Sequence, residues 1–182
     1  MNAFKRTLIV CCCAVLPVLA SAQISKIPQR LELTTLETEI NGLVEVQEVF
    51  NMPQDGQNHY YLSVGHLGIG DDVVQILFDP VFELFIPLGD TLDEAIEALK
   101  QLQDVYKTPS GTSIQVQGVL SAGWPAGDLE TVKVTYKKVL LSNMLEFSLE
   151  RQGYIRATYI KKMDFNSLVN GVKFYKKIHP KE

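Results

Sequence analysis

The sequence predicts an α+β protein: a mostly antiparallel, curved sheet of about eight or nine strands packed on one long helix at about residues 91–107. Three observations lead there. Leu92, Ala95, Ile96, Leu99, Leu102 and Tyr106 recur at helical spacing, with charged and amide side chains on the opposite side. Almost every other apolar stretch beyond residue 22 is short and bounded by turn-forming residues, and several alternate with polar ones, as strands do. These stretches fall on both sides of the helix in the chain, so a sheet that curls around it would use them all.

Residues 1–22 read as a secretory signal peptide, outside the fold. Lys5 and Arg6 precede an apolar run from Thr7 to Leu19, and Ala20-Ser21-Ala22 supplies the small residues of a cleavage site. The run is too short to span a bilayer comfortably, so no transmembrane anchor is expected. Cys11, Cys12 and Cys13 all lie in this leader. The mature chain, residues 23–182, is then without disulfides, thiol catalysis or cysteine-ligated zinc. An exported chain free of disulfides is expected in a bacterial periplasm or secreted from the cell, and its length suits a single domain.

Within residues 30–50 a helix capped at Thr34 competes with two strands. Asn41-Gly42 between apolar flanks is a strong hairpin signal, and Val44-Glu45-Val46-Gln47 alternates, so strands are expected. Met52–Asn58 is a turn by composition, His59–Val64 a strand, and Gly65–Asp72 a glycine-rich connection. Val73–Phe78 and Val81–Ile86 follow as strands, apolar enough that both faces should be covered. Thr91 with Glu94 is a capping box for the long helix, which Pro109 ends.

Beyond the helix, Thr112–Leu120 and Val132–Tyr136 are strands. The apolar phase then moves to Val139 and Leu141, which predicts a bulge at Lys137-Lys138. Leu145, Phe147 and Leu149, then Ile155, Ala157 and Tyr159, mark the apolar sides of a hairpin around Gly153. Asp164–Asn170 suits a second, short helix closed by Gly171, and Val172–Ile178 a last strand.

Charge is divided unevenly. Residues 23–150 hold 7 basic and 19 acidic side chains, net −12, whereas residues 151–182 hold 8 and 2, net +6. Lys161, Lys162, Lys173, Lys176 and Lys177 are therefore candidate binding residues for an anionic envelope surface or glycan, with Lys181 beside them. The competing reading is a solvated edge on which lysines deter sheet-to-sheet pairing. Nucleic acid is not an expected partner for an exported, acidic chain. Trp124, between Gly123 and Pro125, is a candidate anchor for a sugar or a protein partner, or else a lid on the core.

No catalytic motif is present. G-x-S-x-G fails at Tyr61, and H-E-x-x-H and the P-loop are missing. His59, His66 and His179 lack metal-motif spacing, and Asp71 and Asp72, adjacent in the chain, point to opposite sides if they start a strand, so neither metal nor cofactor is expected. The leading expectation is a non-catalytic binding or accessory component of a bacterial cell envelope. The alternatives are a carrier of a small, lipid-like ligand held between helix and sheet, and a hydrolase built from dispersed carboxylates and histidines.

Overall fold

The computed structural model describes residues 29–40, 43–69, 82–151 and 153–180. The expected leader, the Asn41-Gly42 turn, the strand at Val73–Phe78, Asp71, Asp72 and Lys181 lie outside these residues. Among the described residues, nine strands form one sheet: β1 (Leu31–Ile40), β2 (Leu43–Asn51), β3 (Tyr60–His66), β4 (Gly68–Ile69), β5 (Glu83–Gly89), β6 (Ser113–Ser121), β7 (Leu129–Val139), β8 (Ser142–Arg151) and β9 (Tyr154–Lys161). Their lateral order is β1-β2-β3-β5-β6-β7-β8-β9-β4, antiparallel throughout, and the fold is the expected α+β class.

The order explains the curvature. β3 sits inside the sheet between β2 and β5, yet β4, just past Leu67, pairs with β9 at the far edge. The sheet thus curls until its β9–β4 end returns to β2 and β3, without closing into a continuous ladder. Gln47 Nε2 bridges the gap, donating to the Tyr159 carbonyl oxygen at 3.1 Å.

Helix α1 (Leu92–Val105) forms where the sequence places it. The Thr91 side chain accepts from Glu94 N, and the Glu94 carboxylate accepts from Thr91 N and Asp90 N, which also lowers the Glu94 pKa. Leu92, Ala95, Leu99, Leu102 and Val105 are buried against Leu62, Leu84, Ile86, Val132, Val134, Leu145 and Phe147 on the concave face.

The C-terminal segment differs from expectation. A second helix covers 164–170 as expected but is not short, and no strand forms at Val172–Ile178: helix α2 (Lys162–Ile178) runs 17 residues, longer than the 14 of α1. Phe165, Leu168, Val169 and Val172 give it a continuous buried stripe. Gly171 is not a stop signal but a point of close approach: a Cβ there would lie 2.6 Å from the Thr34 Cβ of β1 and closer still to its hydroxyl. Gln103 Nε2 donates to Asn166 Oδ1 at 2.7 Å, Lys176 pairs with Asp93, and the two helices so lie antiparallel.

Two strand details also change. The β7–β8 register runs unbroken from Lys133↔Ser148 to Val139↔Ser142, so the expected bulge at Lys137-Lys138 is absent. Val139 and Leu141 are not core residues in a new phase; they are exposed at the hairpin tip. In β9, Thr158 and Ile160 rather than Ile155, Ala157 and Tyr159 face the core, because Phe147↔Thr158 and Leu145↔Ile160 are the cross-strand pairs.

Candidate functional site

Two places on the molecule gather chemistry-bearing side chains. The first is a bulge in β3. The pairing slips by one residue between Ser63↔Phe85 and His66↔Glu83, and Gly65 takes φ +91 inside the slip. A left-handed φ favours glycine, and the space on its Cβ side is filled by the Glu45 carboxylate. That carboxylate, nearly buried, accepts from His66 N at 3.1 Å and meets His66 Nδ1 at 2.9 Å. His66 Nε2 lies 3.7 Å from Glu83 Oε1, while Glu83 Oε2 is buried without a partner among the described residues. The hydrogen bond that the ring donates to Glu45 raises the His66 pKa against the opposing effect of burial, with the charges of Glu45 and Glu83 adding to the rise. Arg30 stands nearby, paired with Glu48 and lying 3.9 Å over the Phe50 ring.

A carboxylate bonded to Nδ1 is the usual way to orient a catalytic imidazole. A nucleophile or water must then meet Nε2, and here Glu83 faces it. Among the described residues no hydroxyl is bonded to the ring. The geometry suits a held proton tying β2, β3 and β5 together better than an activated base. Sequence spacing could not have revealed this cluster, since its members come from three strands.

The second place is the solvent side of α2, together with the end of the molecule where that helix begins. Lys161, its N-cap residue, makes no side-chain capping bond; Lys162 is the first helical residue, with Nζ 6.0 Å from the Tyr106 ring centroid. Lys162, Lys173 and Lys177 fall within about 60° of one another around the α2 axis. All three, with Lys161, are exposed. Lys176 turns away to Asp93 on α1. Interleaved on the solvent side of α2 are three exposed apolar residues, Met163, Phe174 and Ile178. Sequence reading singled out the lysines and missed the apolar residues beside them, because a segment divided into helix and strand has no single outer face.

Trp124 is half-buried on the opposite, convex side of the sheet, packed with Tyr61 against Phe50, Met52, Phe85 and Val119. It is not brought near the lysines. His59 bonds Asp90 at 2.7 Å, and His179 stacks on Tyr175 with centroids 4.4 Å apart. Among the described residues, no group of His, Cys, Asp and Glu is placed to hold a metal ion, and no helix is long and apolar enough to cross a membrane. No protein-family model, curated protein or solved structure matches the chain.

Proposed function

We propose that the protein is a non-catalytic binding component of a bacterial cell envelope, exported by its leader, that docks on an anionic surface through α2. The observation that carries this reading is the solvent side of α2, where exposed Lys162, Lys173 and Lys177 alternate with Met163 and Phe174 on a chain whose overall charge is negative. Concentrated on one helix, such cations attract a negative surface while the rest of the molecule is repelled, which fixes an orientation. Each lysine near an anionic surface contributes on the order of 1 kcal/mol.

The carrier reading loses support from the packing. Leu62, Leu84, Leu99, Leu145, Phe147 and Leu168, drawn from both helices and the sheet, have no surface that water can touch. Among the described residues, these side chains pack without room for a lipid chain between them. The hydrolase reading has one observation in its favour, the convergence of Glu45, His66 and Glu83, and needs a reacting group at Nε2 that the Glu83 carboxylate faces instead.

The test is binding to a soluble polyanion and to anionic and neutral vesicles across a salt series. Reversing Lys161, Lys162, Lys173 and Lys177 to Glu should weaken binding to anionic vesicles by a factor on the order of 100 or more, and binding should fall steeply with salt. Equal binding to neutral vesicles, or no effect of the four reversals, refutes the proposal.

A further inference from the structure

The β7–β8 hairpin turns through two residues, Leu140 and Leu141. Tight hairpin turns ordinarily place Asn, Asp or Gly at the left-handed positions. Here Leu140 takes φ +54, a conformation a bulky side chain avoids. Leu140 is 92% exposed and Leu141 wholly so, and Val139 and Met163 beside them are exposed too. Neither leucine stabilises the fold by burial, and the turn would be less strained without Leu140. Such departures from local preference are characteristic of functional positions.

The surroundings are basic. Lys137, Met144 and Lys161 stand side by side across β7, β8 and β9, at the third pair back from the turn, and Lys138 pairs with Asn143. Leu141, Asn143, Lys161, Lys162 and Met163 line one open depression beside the tip. The acids close by are Glu146, which bonds Lys137, and Asp164 in the first turn of α2. The start of α2 adds the positive end of its macrodipole.

We infer that this tip inserts into an anionic lipid bilayer, Leu140 and Leu141 entering the acyl layer while Lys138, Lys161 and Lys162 meet the headgroups. The inference rests on the anionic-surface reading above and names that surface. An apolar point ringed by cations matches the layering of a bilayer, with charge outside and hydrocarbon within, and lysine stems can lie along the boundary. A glycan has no apolar layer to receive the leucines. A protein interface would call for few lysines around its buried centre.

The experiment uses the purified chain, its N-terminus mapped by mass spectrometry, and compares variants that share that N-terminus. The probes are vesicles of phosphatidylglycerol and phosphatidylethanolamine, vesicles of phosphatidylcholine, and soluble heparin. Leu140→Asn/Leu141→Asn should lower affinity for the anionic vesicles at least tenfold while heparin binding stays within twofold and the melting temperature does not fall. In a Trp124→Phe background, Leu141→Trp should show a blue-shifted emission on anionic vesicles and be quenched by lipids brominated along the chain. If the double variant binds anionic vesicles like the parent, or the Leu141→Trp emission is unshifted, insertion is overturned while surface docking through lysine stands. If the parent binds neither vesicles nor heparin, both readings fall.

Discussion

Leucine at a left-handed turn position makes Leu140→Asn an informative perturbation, because it should raise stability. The left-handed conformation costs an ordinary L-residue about 1–2 kcal/mol, and asparagine much less. Against that stands the burial lost. Full burial of a leucine is worth about 1.5–3 kcal/mol, but only the covered fraction of Leu140 counts, and it is 92% exposed, which leaves about 0.1–0.2 kcal/mol. The balance favours the variant by about 1 kcal/mol. Urea unfolding followed by far-ultraviolet circular dichroism should show a higher midpoint with an unchanged slope, and the melting temperature should rise by about 2–4 °C. A loss of 1 kcal/mol or more would mean that Leu140 holds the hairpin together, and the reasoning that sets its exposure against its strain would be wrong. A gain in stability accompanied by lost vesicle binding separates what the fold needs from what the tip does.

Two further outcomes test how the elements meet. Gly171→Ala should gain about 1 kcal/mol in helix propensity but lose about 1–3 kcal/mol by overpacking against Thr34, for a net loss in urea unfolding. Thr34→Gly should relieve that loss in a double-mutant cycle and Thr34→Ala should not, since the threonine Cβ is itself in the way; a Gly171→Ala variant more stable than its parent refutes the close approach. His66 holds its proton more tightly in the folded chain than in the unfolded one, so its contribution to stability is complete below about pH 6.5 and is lost as pH rises through the raised folded value. Denaturation midpoints should therefore decline as pH rises from about 6.5 through that raised value, and His66→Gln should flatten that decline; an equally steep decline in the variant removes His66 as its source.

How far the sequence could be read depended on how local the determining interactions are. Helix α1 was legible from Thr91 to Tyr106 because its cap and periodicity lie within it and Pro109 follows just beyond its end. Helix α2 was not. Gly171 has the form of a stop signal, and only Thr34, far upstream, shows that the glycine is there to let a strand approach. Val139 and Leu141 misled for another reason. An apolar pattern is taken as core on the premise that exposed leucine is disfavoured, and the β7–β8 tip breaks that premise. The Glu45, His66 and Glu83 cluster had no signal at all, since a pairing slip in β3 brings the three residues together.

The two helix starts make a useful contrast. At α1, Thr91, Asp93 and Glu94 place acceptors and negative charge where the orphan N–H groups and the positive dipole end call for them. At α2, the N-cap is Lys161, without a side-chain bond, and the next residue is Lys162, so two cations sit at the end of the helix that repels them, with Asp164 in the first turn opposing them. Each such cation is unfavourable by about 0.3–1 kcal/mol, and a missing cap by about 1 kcal/mol. The same end of the molecule carries the strained Leu140 and the exposed Leu141 and Met163. Folding alone would favour a capped helix and a polar turn at this end. A negatively charged, apolar-cored surface would offset two of these terms: cations near the helix start would be matched, and exposed leucines would be covered. The clustering of unrelated departures from folding preference, rather than any one of them, is what supports the docking role proposed for this end.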